Sequence, residues 1–252
     1  MIHFVGAGCG AKDLITVRGK EHIENADVIV YAGSLVNKEL LEYNQKNATI
    51  YDSAYMTLEE VVSVLIEAER QEKYVVRLHT GDPALFGAIK EQMDELDNAG
   101  ILYDVTPGVT AAFGAAAALK AEYTLPDVSQ TLILTRMSGK TLVPERESIR
   151  SLASHKATMA IYLSASLAEE LQKELLEGGY SSDTPVAICV KVTWDDEKIY
   201  RCTIGTLAQT TLDNNIRKTA IYIIGDAISP NGYDKSRLYA VDFSTEYRRA
   251  TK

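Results

Sequence analysis

Strand-like and helical patterns alternate through the first 119 residues, and this alternation restricts the fold more than any other feature. Apolar runs typical of strands lie at residues 2–5, 28–31, 48–51, 74–78 and 101–105. Patterns typical of helices lie between and after them, at residues 13–25, 35–44, 58–71, 85–98 and 110–119. Repeated strand–helix–strand units are typical of a parallel sheet covered on both faces. We therefore predict an N-terminal α/β domain, mostly parallel, over residues 1–119.

The second half of the chain resumes the pattern after residues 120–130, which show no clear period and are interpreted as a linker. Strands are predicted at residues 131–135, 158–163, 186–192, 199–204 and 220–224, and helices at 147–154, 167–178 and 207–214. No helix separates the two strands that flank Trp194-Asp195-Asp196-Glu197, so a hairpin and a mixed sheet are expected. The predicted architecture is two α/β domains, 1–119 and 120–252, with a ligand cleft between them.

Two helix starts are marked in the first half. Asp13 and Thr57 stand where N-caps belong, and Thr57-x-x-Glu60 matches a capping box.

Composition and net charge limit the partners and the cellular location that the sequence allows us to expect. Apolar residues make up 46% of the 252 residues, and no apolar run approaches the roughly 18 residues that cross a bilayer. The net charge of −9 argues against nucleic-acid or anionic-membrane partners, which need a basic surface. The cysteines (Cys9, Cys189 and Cys202) lack the spacing of a metal or redox site, and no basic leader begins the chain. A cytoplasmic location without a bound metal is expected.

A glycine loop, Gly6-Ala7-Gly8-Cys9-Gly10-Ala11, follows the first predicted strand and matches the dinucleotide fingerprint G-x-G-x-x-A. That fingerprint requires an acidic residue near the end of the second strand. Asp27 stands at the beginning of that strand instead, which disfavours a Rossmann-type oxidoreductase without excluding it. The loop could equally be a tight turn or a cradle of N–H groups for an anion.

Two further turns follow neighbouring predicted strands, at Thr80-Gly81-Asp82-Pro83 and at Thr106-Pro107-Gly108-Val109-Thr110. Ligands of open α/β sheets bind at the carboxyl edge of the strands, where both turns are expected. Proline suits the first turn of a helix, and Asp82 and Thr110 could simply be N-caps. Two such turns together favour a small-molecule pocket.

A third segment, residues 135–146, leaves the first strand of the second half and carries Arg136, Lys140 and Arg146. It is either a solvated loop or a mobile flap that brings positive charge to a bound ligand. The sequence shows no Ser-His-Asp set, Walker loop or zinc spacing.

Taken together, these motifs resemble the tetrapyrrole methylases, the S-adenosylmethionine-dependent methyltransferases of corrin and sirohaem biosynthesis. The resemblance rests on Val5-Gly6-Ala7-Gly8-Cys9-Gly10 with Asp13-Leu14-Ile15-Thr16-Val17-Arg18-Gly19, on Gly81-Asp82-Pro83 and on Pro107-Gly108-Val109-Thr110. It spans residues 2 to about 225 and departs from the family at Cys9, where proline is usual. Residues 135–141 and 192–197 resemble a subgroup that methylates a corrin precursor.

The resemblance implies S-adenosylmethionine as methyl donor, S-adenosylhomocysteine as product, a tetrapyrrole substrate and a homodimer. It implies donor-binding residues at Gly81, Asp82, Leu85, Phe86, Thr110, Ala111, Tyr162, Leu163, Ala187 and Ala220. The glycine loop would then face the tetrapyrrole through Gly6, Gly8 and Gly10. Because a corrin precursor carries many carboxylates, we expect compensating cations at Lys12, Arg18, Arg136, Lys140 and Arg146.

Methyl transfer from a sulfonium needs alignment at about 3–3.5 Å and exclusion of water, so no protein nucleophile is expected. A proton must still be redistributed on the macrocycle, and Asp104 and His79, both predicted near strand ends, are the candidate bases. Three other functions stay open. The chain could methylate RNA, although its acidic net charge disfavours that function. It could instead methylate a protein, or it could be a sensor that binds a ligand without turnover.

Overall fold

The computed structural model of the protein describes residues 1–33, 35–230 and 232–251. These residues fall into two units, each with its own sheet. The first comprises Met1–Ala115 together with Lys191–Glu197, and the second comprises Ala116–Val190 together with the chain from Lys198 onward.

The first unit contains a five-stranded parallel sheet in the order β3-β2-β4-β1-β5. Its strands are β1 (Ile2–Gly6), β2 (Val28–Tyr31), β3 (Thr49–Asp52), β4 (Val75–His79) and β5 (Tyr103–Thr106). The parallel sheet predicted from the strand–helix alternation is confirmed. Because β4, β1 and β5 are neighbours, the three turns that follow them emerge side by side.

Both faces of this sheet are apolar and buried. Phe4 and Val30 pack on one face, and Val5 and Leu78 on the other. The helices of this part of the chain are α1 (Val17–Asn25), α2 (Leu58–Arg70), α3 (Ile89–Asn98) and α4 (Ala111–Leu119). The predicted capping box is present at α2, where Glu60 N donates to Thr57 Oγ1 and Thr57 N donates to Glu60 Oε2.

Three predicted helices begin later than expected. Helix α1 begins at Val17 because Thr16 accepts from Gly19 N and caps it, whereas Asp13 lies in a separate 3-10 turn. The pattern at residues 35–44 forms a 3-10 helix at Lys38–Tyr43. Helix α3 begins at Ile89, since Phe86 and Ala88 before it have positive φ and interrupt the helical path.

The second unit contains a mixed sheet in the order β6-β7-β10-β8-β9. Its strands are β6 (Leu132–Arg136), β7 (Thr158–Tyr162), β8 (Pro185–Val190), β9 (Lys198–Thr203) and β10 (Ala220–Ile224). Strands β8 and β9 are antiparallel, so the predicted hairpin is confirmed. Helices α5 (Ile149–Ala153), α6 (Ala168–Glu177) and α7 (Leu207–Asp213) complete the unit. None of the helices in the described part of the chain has both the length and the apolar character of a membrane span.

Candidate functional site

Glycines interlock at the carboxyl edge of the first sheet. Gly6 ends β1, while Gly81 and Gly108 follow β4 and β5. A Cβ added to Gly108 would lie 2.8 Å from Gly6 Cα and closer still to Gly81 O, and one added to Gly6 would lie 2.6 Å from Gly108 Cα. Real Cβ atoms do not make such contacts, so the turns touch only because these residues have no side chain.

Asp82 joins two of these turns. Its Oδ1 accepts from Ala84 N at 2.8 Å and its Oδ2 accepts from Gly108 N at 3.0 Å. The sequence left open whether Asp82 caps the following segment or shapes a pocket. The carboxylate in fact holds its own turn and the turn after β5 in one arrangement.

Replacement of Asp82 by alanine is therefore expected to lower the free energy of unfolding by about 1–2 kcal/mol. Hydrogen bonds to a charged acceptor contribute about 1.5–3 kcal/mol when buried, and partial exposure of Asp82 reduces that figure. Urea unfolding measures the change. Asp82→Asn keeps one acceptor oxygen and should lose about half as much. Equal stability of Asp82→Ala and the parent protein would contradict the bridging role.

The turn after Asp82 contains strained backbone. Phe86 and Ala88 have φ of 57° and 49°, and a Cβ on Gly87 would overlap the Pro83 carbonyl. Each non-glycine residue in this region costs about 1 kcal/mol or more, and such strain clusters at ligand sites. Phe86 is 44% exposed although it is aromatic, so this turn presents an apolar ring to its surroundings.

A buried polar chain supports the same turn from behind. Gln92 Nε2 donates to Ala88 O at 3.0 Å, and Gln92 Oε1 accepts from Arg77 Nε at 2.9 Å. Arg77 also donates to Val30 O, and burial lowers the pKa of its guanidinium to about 10. Sequence reasoning missed this network because nothing in the local pattern marks Gln92 as a partner of Arg77.

The predicted donor residues of the first unit lie around this edge. A Cβ on Gly81, whose φ is +61°, would lie 3.6 Å from Thr110 Cα. Apart from Thr110 and the chain neighbours of Gly81, no described residue lies within 4 Å of that position, which suits the approach of a ligand to backbone. Thr110 is buried immediately before α4, Ala111 begins that helix, and Leu85 lies beside Phe86 in the strained turn. These residues fit a small ligand that contacts backbone.

The predicted donor residues of the second unit are more dispersed. Tyr162 ends β7, and Leu163 follows it with a φ of 53° and an exposure of 63%. Ala220 begins β10 opposite Val190, whereas Ala187 is fully buried three positions further along the same ladder. The donor-binding roles of Tyr162, Leu163 and Ala220 stay predictions, and these residues lie at or next to the ends of strands. The donor-binding role of Ala187 also stays a prediction, although this residue is fully buried inside the sheet.

Several N–H groups of the glycine loop are already occupied. Gly8 and Gly81 exchange backbone hydrogen bonds of 3.2 and 2.9 Å, and Ala7 N donates to His79 O. Ala11 N donates to Thr193 Oγ1 at 3.0 Å, and Gly10 O accepts from Asn37 Nδ2. The loop is thus anchored by protein groups, which leaves fewer N–H groups for an anion than the sequence suggested.

The predicted cations differ in their availability. Lys12 pairs with Glu42 at 3.3 Å, and Arg146 pairs with Glu147. The Arg136 guanidinium donates to the carbonyls of Met137, Thr141 and Leu142, so it closes its own loop. Arg18 and Lys140 are exposed and form no ion pair with another described residue. These two side chains are the best placed to meet a carboxylate-bearing ligand.

The two candidate bases lie in different settings. Asp104 is the second residue of β5, in register with His3 rather than at the strand end, and its Oδ1 is 2.9 Å from His3 Nδ1. His79 is buried, and its Nε2 has no hydrogen-bond partner among the described residues. Burial, aided by nearby Arg77, lowers the pKa of His79 to about 3. Their catalytic roles stay predictions.

His3 and Asp104 belong to a cluster that sequence reasoning did not anticipate. Potential ligand atoms of His3, His22 and Asp104 lie within 4.8 Å of one another. The two imidazoles are stacked with centroids 4.1 Å apart, and His22 Nδ1 lies 2.6 Å from Tyr74 Oη. The nitrogen lone pairs of two stacked rings point side by side and do not converge on one metal ion. We therefore interpret the three residues as a hydrogen-bonded cluster and not as a metal site.

Comparison with known proteins gives a consistent result. The family model described as tetrapyrrole (corrin/porphyrin) methylases matches residues 1–208. A cobalt-precorrin-4 C(11)-methyltransferase of Methanocaldococcus jannaschii is 54% identical over 248 residues, covering 98% of this chain and 96% of that protein. A precorrin-4 C(11)-methyltransferase of Pseudomonas aeruginosa is 42% identical over 98% of each chain. The X-ray structure of a cobalamin biosynthetic enzyme, cobalt precorrin-4 methyltransferase, has a TM-score of 0.88 and 46% identity, covering 91% of this chain and 96% of that one.

Proposed function

The chain belongs to the tetrapyrrole (corrin/porphyrin) methylase family, and we propose that it methylates carbon 11 of precorrin-4 or cobalt-precorrin-4. The methyl donor is S-adenosylmethionine, and the products are the corresponding precorrin-5 and S-adenosylhomocysteine. The observation that carries this proposal is the near full-length similarity to methyltransferases named for that reaction. Residues 135–141 and 192–197, which resemble the same subgroup, support it.

The chemistry fits a site without a nucleophilic side chain. The methyl–sulfur bond breaks as the macrocycle carbon forms its bond to the methyl group, and S-adenosylhomocysteine departs. The macrocycle supplies the electron pair, so the protein contributes alignment and exclusion of water. The interlocked turns at Gly6, Gly81 and Gly108, joined by Asp82, give this site the rigidity that alignment needs.

Calorimetric titration with S-adenosylhomocysteine tests the donor site. We expect the protein to bind this product and not NAD, and we expect Gly81→Trp to abolish binding because the indole would lie against Thr110 and a φ of +61° strains any L side chain. Leu102→Trp is the matched control, since Leu102 lies before β5 and is 75% exposed. It should bind as the parent protein does.

The other outcomes discriminate the alternatives. Binding of NAD alone would overturn the proposal in favour of a dinucleotide-dependent oxidoreductase. The structure disfavours a dinucleotide-dependent oxidoreductase, because Asp27 lies immediately before β2, at the end of the strand away from the turns. Its carboxylate accepts a hydrogen bond from Tyr74 N there. Binding of S-adenosylhomocysteine with methylation of uroporphyrinogen III or of another precorrin position would keep the family and change the substrate.

We further propose that the enzyme is a cytoplasmic homodimer, as the family resemblance implies. Light scattering coupled to gel filtration measures the mass of the assembly directly. A mass near that of one chain would overturn the dimer without affecting the proposed reaction.

A further inference from the structure

The segment between β8 and β9, residues 191–197, packs against the glycine loop within the first unit. We call this segment the hairpin tip. Thr193 Oγ1 accepts from Ala11 N at 3.0 Å and lies 3.4 Å from Cys9 Sγ. One side-chain hydroxyl thus contacts the loop at two positions. Sequence reasoning did not single out Thr193, since its partners are about 180 residues away.

Steric contact reinforces these polar contacts. A Cβ on Gly10 would lie 2.6 Å from Val192 O and 2.7 Å from Trp194 Nε1. A Cβ on Gly114, in α4, would lie 2.6 Å from Val192 Cγ1 and 2.7 Å from Cys9 Sγ. Cys9 is therefore enclosed between α4 and the hairpin tip, and the glycine loop follows the surface of the tip without a gap.

The hairpin tip is itself held in one conformation. Thr193 N donates to Glu197 Oε2 at 2.7 Å, and Lys191 pairs with Asp196. Thr193 and Lys191 have φ of 65° and 49°, although neither is glycine. A strained backbone conformation persists only where contacts with the surrounding structure hold it, and such conformations are frequent beside functional sites. The backbone that carries the Thr193 side chain is consequently held by contacts within the hairpin tip.

The glycine loop needs such external support. It consists of glycine, alanine and one cysteine, so its own side chains supply little packing and its backbone has much conformational freedom to lose. Resting on the proposed function, in which this loop meets the tetrapyrrole, we infer that Thr193 is a positioning residue for substrate binding. It holds the loop through Ala11 and Cys9 and does not itself contact the reacting atoms.

Kinetics of Thr193→Val and Thr193→Ser test this role. Valine keeps the shape and removes the hydroxyl, so the KM for enzymatically prepared cobalt-precorrin-4 should rise about tenfold, as loss of one hydrogen bond predicts. Serine restores the hydroxyl and should restore the KM. The Kd for S-adenosylhomocysteine should change less than about twofold, because Thr193 contacts Ala11 and Cys9, whereas Gly81 is held to the loop by its own backbone hydrogen bonds with Gly8. An equal loss of both affinities, or no loss in Thr193→Val, would overturn the inference.

Cys9 provides a second readout that does not depend on turnover. Its thiol is buried, and that burial raises its pKa, so alkylation by iodoacetamide should be slow. We expect Thr193→Val to accelerate labelling of Cys9 about tenfold and Thr193→Ser to leave it unchanged, with fully buried Cys189 as the internal reference. Thr193→Ala replaces the valine variant if the latter does not fold.

The two readouts separate the two proposals. If the parent protein neither binds S-adenosylhomocysteine nor methylates a tetrapyrrole, the proposed function fails, while Cys9 labelling still reports on the loop. Unchanged labelling of Cys9 in folded Thr193→Val would refute the positioning role whatever the reaction proves to be.

Discussion

Gly108→Ala is expected to lower the free energy of unfolding by about 3 kcal/mol or more and to abolish binding of S-adenosylhomocysteine. The added methyl group would lie 2.8 Å from Gly6 Cα and closer still to Gly81 O. Overpacking usually costs about 1–3 kcal/mol where neighbours can shift. Here the neighbours are backbone at the ends of β1 and β4, which the sheet holds in place, so the cost should reach or exceed the upper end of that range. Urea unfolding and calorimetric titration measure the two effects.

Gly139→Ala serves as the control for this substitution. A Cβ on Gly139 would lie 3.7 Å from Leu167 Cδ1, which is ordinary van der Waals contact. We expect its stability to stay within about 0.5 kcal/mol of the parent protein. Comparable stabilities for the Gly108 and Gly139 variants would mean that the turns after β1, β4 and β5 adapt to a side chain, and the rigid-edge description would be wrong.

The position of this edge was predictable from sequence, because the alternation of strands and helices determines a parallel sheet. Once β1, β4 and β5 are parallel, the turns at Gly6, Gly81 and Gly108 must lie on the same edge. Sequence also marked Asp82 as a residue with two possible roles. It could not show that one carboxylate reaches both Ala84 N and Gly108 N, since that depends on the distance between two turns.

Other features depended on long-range contacts that no local pattern encodes. The positive φ of Phe86 and Ala88, neither of them glycine, delays α3 and is supported by the distant Arg77–Gln92 pair. Asp104 was expected near a strand end, but strand register places it beside His3. The hairpin itself was predicted, whereas the packing of Thr193 on the glycine loop was not, because its partners are far away in sequence.

His79→Leu is expected to make the stability of the protein less sensitive to acid. Burial lowers the pKa of His79 to about 3 in the folded state, compared with an ordinary value of about 6.5. Between these two values the unfolded chain binds a proton at this site and the folded protein does not. Stability therefore falls as the pH falls below about 6.5, by up to about 1.4 kcal/mol per pH unit from this residue alone. Above that range the residue makes no such contribution.

Urea unfolding of both proteins from about pH 7.5 to about pH 5 measures this effect as a difference between two slopes. Carboxylates are common to both proteins, so their contribution cancels in the comparison. Since no residue that the structure describes hydrogen-bonds to Nε2 of His79, replacement by leucine should cost little stability at neutral pH. Parallel slopes would mean that His79 titrates in the folded state near its ordinary range. That result would support His79 as a candidate base, whereas a flattened slope with undiminished turnover would remove it from the mechanism.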